Sequence, residues 1–363
     1  MAHNSQDGSK DGINIVCIGG GTGLSTLLAG LKEKVRTRIE GATLYATDDA
    51  TGDGTDDRLS GAWLNSLSAI VTVTDDGGSS GRLREELQIL PPGDIRNCMV
   101  ALSEDSTLLS RLFRHRFSGA GSLGGHSFGN LFLAALTEVT GDFVEAVRLS
   151  SEVLASKGRI YPSTLSDVQL VAELSDGTIV EGETRITGSR CPIKRLRLEP
   201  EQCLPLPETL TAIGAADIIT IGPGSLYTSL LPNLLVKSVA QAIATSPATT
   251  IYISNLMTQP GETDGFDVES HLRTLKSYAP EIEFDHVVIN DRPISSDQSF
   301  RYAADGAYQI GVREGQMEES LSNLQGAVFA DLLDDGEMVR HSPDKLARVI
   351  LDCLAQSRTR RHL

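Results

Sequence analysis

The chain has 363 residues, long enough for one large α/β unit or two smaller ones, and its 40% hydrophobic content is that of an ordinary globular protein. Its 48 Asp and Glu outweigh 32 Lys and Arg, a formal charge of −16, which argues against a general nucleic-acid binder because that needs a basic face. Five cysteines with no C-x-x-C pair argue against a disulfide scaffold or a zinc site, and free thiols suit a cytoplasmic location.

Residues 1–12 are polar, lack the apolar core of a signal peptide, and read as a disordered tail. No apolar run is long enough to span a bilayer, so no membrane insertion is expected. Ile13–Ile18 reads as a buried strand and Leu24–Lys34 as the helix after it. The segment 41–68 carries the acidic run Asp48–Asp57 and reads as a surface insertion; the ligand spacing and closing Glu of an EF-hand are missing. A second strand is expected over Ala69–Thr74, then helices from Asp94, over Leu108–Arg116, Ser127–Val139 and Asp142–Leu154. Val168–Leu174 and Thr178–Ile186 alternate around Asp176-Gly177, a hairpin signal, and Ile193–Leu198 continues a β-rich excursion over 160–205. Parallel patterning resumes with strands at Asp217–Ile221, Thr249–Ser254 and His286–Ile289. A further strand at Ala327–Leu333 and a helix at Pro343–Ala355 belong to a C-terminal segment, 314–356, expected to pack on a core of 13–313; residues 357–363 read as a frayed end. The expected fold is a Rossmann-like three-layer α/β sandwich with a mostly parallel sheet and a small antiparallel β excursion.

Five glycine-punctuated polar clusters interrupt this pattern. In an open parallel sheet, turns that follow strands meet along one edge, and glycine-rich turns opening helices cradle phosphates with backbone N–H groups. Gly20, Gly21, Thr22 and Gly23 form one such turn. A nicotinamide fingerprint would need glycine where Leu24 stands, so no redox cofactor is expected; a P-loop motif is absent too. Asp75 and Asp76, at a strand end, are candidates for holding Mg²⁺ or a substrate hydroxyl, against the plainer reading that they cap a helix. Gly77, Gly78, Ser79 and Ser80 leave the following turn open, and Arg82 offers a guanidinium fork to phosphate. Asp94 reads as a helix cap, while Arg96 and Asn97 in the first turn can face the crevice. His126 is more simply structural than catalytic and joins Ser127 and Asn130 as a ligand-contact candidate, with no nucleophile elbow around Ser127. Gly222, Pro223, Gly224, Ser225 and Thr228 make a second phosphate turn, and the amides of Asn255 and Gln259, with Thr258, can read a base or sugar.

The runs Asp75–Leu87, Pro92–Ser103, Gly125–Leu131 and Ile221–Val236 resemble the CofD-like family, whose founding activity is 2-phospho-L-lactate transfer. They are most similar to its bacterial branch, the YvcK-type gluconeogenesis factors, over residues 13–350. The resemblance implies a nucleotide at the carboxyl ends of the strands. The transferase branch moves a phospholactyl group from a guanosine diphosphate-linked donor to a deazaflavin alcohol with Mg²⁺, which would put Asp75 and Asp76 on the metal and acceptor side as catalytic residues. The gluconeogenesis-factor branch implies instead a binder of uridine-diphosphate sugars, tied to cell shape and envelope synthesis on gluconeogenic carbon. In that branch Tyr302 and Arg340 become candidates for sugar or base contact. A homodimer is the expected assembly. The acidic insertion departs from the family pattern.

Overall fold

The computed structural model describes residues 12–35, 64–104, 108–313, 316–318, 324 and 326–361. In chain order the elements are β1 (Ile13–Gly19), α1 (Gly21–Lys32), β2 (Leu64–Val71), α2 (Gly78–Leu87), α3 (Gly93–Leu102), α4 (Leu108–Arg114), α5 (Phe128–Thr140), α6 (Phe143–Val153) and β3 (Arg159–Pro162). There follow β4 (Gln169–Leu174), β5 (Ile179–Glu181), α7 (Glu183–Gly188), β6 (Ile193–Glu199), α8 (Pro207–Gly214), β7 (Ile218–Ile221), a π-helical turn (Leu226–Leu230), α9 (Leu231–Leu235) and α10 (Val239–Thr245). The remainder is β8 (Thr249–Ile253), α11 (Val268–Tyr278), β9 (His286–Asn290), α12 (Ser296–Ala304), β10 (Val312–Arg313), β11 (Gln316–Met317), β12 (Ala327–Ala330) and α13 (Pro343–Arg361).

Seven strands form one parallel sheet in the order β12-β9-β8-β7-β1-β2-β3. The chain winds outward from β1 to β3, then returns to β7 on the other side of β1 and winds away through β8 and β9 to β12. Parallel crossovers keep one hand, so reversing the direction of winding puts the two sets of helices on opposite faces. Strands β7, β8 and β9 are buried at every position, as covering on both faces requires. On α1, Leu24, Leu27, Leu28 and Leu31 recur at helical spacing and are all fully buried. That helix packs on α3 and α13, and a Cβ on Gly30 would run into the Pro343 carbonyl.

The expected α/β architecture is observed, with differences at particular elements. Strand β2 begins at Leu64, so Leu64–Ser68 belong to the sheet and not to the acidic insertion; residues 41–63 lie outside the described residues, as do 1–11. Polar Asn65 and Ser66 hide this start, and both donate to Asn14 Oδ1, at 2.9 and 2.8 Å. Thr72–Thr74 leave the ladder, and Thr72 N–H donates to the Gly19 carbonyl at 3.1 Å.

The excursion is a three-stranded antiparallel sheet, β5-β4-β6, while residues 160–162 belong to β3 of the main sheet. The second hairpin arm is short: Gly182 turns the chain with φ +91° and Glu183–Gly188 become α7. Strand β12 stops at Ala330, and α13 runs on to Arg361, with buried Ser357 hydrogen-bonded to His286 at 2.8 Å.

Candidate functional site

The winding reverses between β1 and β7, the place where open α/β sheets bind ligands. There the turn Gly20–Gly23 faces the turn Gly222–Ser225. Both line a cavity of about 250 Å³ with the segment 255–259 after β8 and with Val339–His341 ahead of α13. The two glycine turns pack backbone to backbone: a Cβ on Gly23 would collide with the Pro223 carbonyl oxygen and lie 2.7 Å from its carbon. Fully buried Asn233 ties them together, donating from Nδ2 to the Gly19 carbonyl at 3.0 Å and the Ser229 carbonyl at 2.7 Å. Gln259 Nε2 donates to Ser225 Oγ at 2.8 Å and joins the third segment to the second.

Helix α1 opens at Gly20 without a side-chain cap and with no acidic residue in its first turn. Asp94 takes the Gly21 N–H, and the remaining first-turn N–H groups and the positive end of the helix meet the cavity, an environment suited to phosphate oxygens. The second turn is built differently from expectation. It leads into a π-helical turn, which buries Thr228 and brings Ser229 to the cavity in its place.

Beside the first turn lies a group of carboxylates. Asp94 is not the cap of α3, whose cap position is Pro92; it accepts hydrogen bonds from Gly21 N–H and the Asn97 side chain. A Cβ on Gly20 would lie 2.6 Å from Asp94 Oδ2, and one on Gly93 would lie 2.7 Å from Asp75 Oδ2. Burial, then the charge of Asp75, pushes Asp94 up to about 6. Glu183, at the start of α7, is pushed to about 9 by burial and by Asp75, Asp94, Asp76 and Glu262. Buried Glu262 is pushed to about 7 by burial, opposed by hydrogen bonds from Thr187 and the Tyr227 backbone.

Asp75 Oδ1 accepts from Gly77 N–H at 2.9 Å, whereas Asp76 Oδ1 accepts from Thr184 N–H at 2.9 Å and Thr184 Oγ1 at 2.6 Å. The adjacent pair thus divides: Asp75 is electrostatically coupled to Asp94, and Asp76 caps α7. Among the described residues no three His, Cys, Asp or Glu side chains are arranged to hold a metal ion.

A third group forms a polar web behind the carboxylates. Ser79 Oγ lies 3.0 Å from His126 Nδ1 and accepts from Asn130 Nδ2 at 3.2 Å; Asn130 Oδ1 accepts from Arg96 Nε at 3.2 Å. Ser127 Oγ donates to the Phe113 carbonyl at 3.3 Å, and Arg82 Nη2 donates to the Gly124 carbonyl at 2.8 Å. Burial, then Arg82, lowers the His126 pKa; burial, then Arg116, lowers that of Arg96. These side chains hold α2, α3 and α5 together and do not line the cavity. Ser80 is buried with its Oγ against Gly93, and Gly77 with Gly78 opens α2 without a side-chain cap.

Asn255, Gln259 and Arg340 line the cavity; Thr258 and Tyr302 do not. Thr258 exchanges hydrogen bonds with Tyr308, at 2.8 and 2.9 Å. The Tyr302 hydroxyl accepts from Val339 N–H at 3.0 Å and so positions the segment that carries Arg340. Sequence reading misses the cavity residues Thr26, Ser229, Met257 and His341, and the carboxylates Glu183 and Glu262. A short polar residue after each glycine turn is the signal that could have found Thr26 and Ser229; the others come from segments with no turn signature.

The model of the family described as 2-phospho-L-lactate transferase CofD matches residues 15–328. The gluconeogenesis factor of Halalkalibacterium halodurans is 42% identical over 341 residues, 93% of this chain and 96% of that protein. The gluconeogenesis factor of Bacillus subtilis is 41% identical over 344 residues, covering 94% and 98%. A crystal structure of a UPF0052 family member from Bacillus halodurans superposes with a TM-score of 0.81 at 41% identity, covering 94% of this chain and 99% of that one. With the family's turns gathered at the switch point of the expected sheet, the chain belongs to the CofD family, among relatives named gluconeogenesis factor.

Proposed function

We propose that this chain is a cytoplasmic, homodimeric binder of a nucleoside diphosphate-linked sugar, a uridine-diphosphate sugar in particular. It acts as a regulatory gluconeogenesis factor in the upkeep of cell shape and envelope during gluconeogenic growth. One observation carries the reading: the glycine-rich start of α1 and the turn after β7 pack against each other and together line a single cavity. Phosphates lie against these turns, and the sugar extends toward Asn255, Gln259 and Arg340. Calorimetric titration with UDP-glucose tests it; no heat with UDP-glucose or any other uridine-diphosphate sugar refutes it.

A second reading, a Mg²⁺-dependent transferase of the 2-phospho-L-lactate type, is favoured by the carboxylates next to α1. In that reading Mg²⁺ moves from the Asp75–Asp76 pair to Asp75 with Asp94, because Asp76 is committed to Thr184. A divalent cation would offset the burial and the Asp75 charge that together raise Asp94, with ligand phosphate and water completing its coordination. Glu183 would hold a proton near the metal. Incubation with a guanosine diphosphate-linked phospholactate, Mg²⁺ and a deazaflavin alcohol tests this reading; no transfer product refutes it.

A further inference from the structure

Helix α5 is more apolar than its surroundings require. Of its 13 residues, Phe128–Thr140, the charged one is Glu138. A helix apolar on all sides is normally covered on all sides. Packing against α2, α3, α4 and α6 buries Gly129, Asn130, Leu133 and Ala134 and leaves the opposite face without a partner. On that face Phe128, Phe132, Ala135 and Val139 recur at helical spacing as one stripe, flanked by Leu131 and Leu136. Val139 is 82% exposed and Ala135 is exposed, while the other four are partly buried. Single exposed apolar side chains are ordinary; a stripe along a whole helix marks an interaction surface.

The order of side chains along the stripe fits a second copy of the same helix. Antiparallel pairing about the midpoint of α5 sets Phe128 against Val139 and Phe132 against Ala135, a ring against a smaller side chain each time. Leu131 then meets Leu136 beside them. The charges agree with this direction. Phe128 N–H donates to the His115 carbonyl at 2.9 Å, so exposed Arg114 and Arg116, on either side of His115, stand at the N-terminal end of the stripe. Exposed Glu138 and Asp142 stand at the other end, about 20 Å along the helix axis. Antiparallel pairing lays the basic end of one copy on the acidic end of the other; parallel pairing would set like on like. Two chains of formal charge −16 repel in general, so a weakly charged face with complementary ends is where they can meet.

We propose that the outer face of α5 is the interface between two copies of this chain, paired antiparallel about a two-fold axis through the middle of the helix. This interface deepens the homodimer reading, on which it rests, and is independent of what the cavity binds.

Ala135 is the position to change, because it is exposed in the single chain and close to the axis in the pair. Ala135→Arg and Ala135→Glu each set like charges against one another across the axis. Sedimentation velocity should show a dimeric wild type and two monomeric variants, with self-association weakened about a hundredfold or more. An equal mixture of the two variants should re-form the dimer, since Arg then faces Glu. Unfolded chains would not do so, which separates loss of the interface from loss of the fold. Phe300→Ser, which removes an 81% exposed ring from α12, should leave the dimer intact.

A wild type that sediments as a monomer at every concentration overturns the homodimer reading and this surface together. A dimeric wild type whose Ala135 variants stay dimeric, or whose monomeric variants do not reassociate on mixing, overturns the α5 surface alone. So does a Phe300→Ser chain that turns monomeric while the Ala135 variants do not, which would move the interface to α12.

Discussion

Replacing Gly23 by alanine should damage the cavity more than the fold. In a helix the change is favourable in isolation, by roughly 0.5–1 kcal/mol. Here the new methyl would collide with the Pro223 carbonyl oxygen and lie 2.7 Å from its carbon and 3.1 Å from Gly224 N. All three neighbours are backbone, so no side chain can swing aside. Overpacking of this kind costs about 1–3 kcal/mol, which leaves a net loss of roughly 0–2.5 kcal/mol in stability.

The relaxation available is to part the two turns, and parting them moves the N–H groups of α1 away from the turn after β7, with which they are proposed to share a ligand's phosphates. The expected result is a melting temperature lowered by no more than a few degrees with a loss of UDP-glucose affinity of about tenfold or more. Differential scanning calorimetry and isothermal titration provide the two numbers. Gly214→Ala is the control, since Gly214 ends α8 and its new methyl would meet no heavy atom within 4 Å. A Gly23→Ala protein that matches wild type in both measurements would refute the backbone-to-backbone packing.

Three further outcomes follow from the site. Asp94, Glu262 and Glu183 are raised to about 6, 7 and 9, so the folded chain keeps protons that the unfolded chain has lost. Their contribution to stability is whole below about pH 4 and lost as pH rises through those values. Glu183→Gln should therefore gain on the order of 1 kcal/mol over wild type at pH 8.5 and nothing at pH 4, by thermal melts at both; equal gains at the two would contradict the assignment. Asp76→Ala should cost about 1–2 kcal/mol through loss of the α7 cap, and a double-mutant cycle with Thr184→Val should show coupling near 1 kcal/mol. Zero coupling in denaturant melts would separate the pair. Ser79→Ala strands His126 and Asn130 and should cost about 1–3 kcal/mol while leaving UDP-glucose affinity unchanged; a large affinity loss would move the web into the ligand site.

Much of the architecture is legible in the sequence because its signals are local. The apolar runs at Ile15–Ile18 and Ile218–Ile221 are buried whatever their neighbours, and Leu24, Leu27, Leu28 and Leu31 repeat at the helical period. Gly20–Gly23 and Gly222–Ser225 announce turns after strands, and a parallel sheet obliges such turns to share an edge. Where polar side chains pair across the sheet, as Asn65 and Ser66 do with Asn14, the alternation is blurred and the strand start is hidden.

Which side chains meet is a different matter, settled by contacts far apart in the chain. Asp75 and Asp76 are neighbours with equivalent chemistry in the sequence. Thr184, 108 residues beyond Asp76, engages one of them as a cap, and Asp94 is coupled to the other. His341 has no motif around it; its buried, unpaired Nε2 exists because the segment before α13 folds over the turn after β8. Local sequence determined where strands end and turns open, since periodicity and glycine act over a few residues. Only the tertiary structure decided which carboxylates repel and which polar groups are satisfied, because burial and pairing are properties of the packed chain.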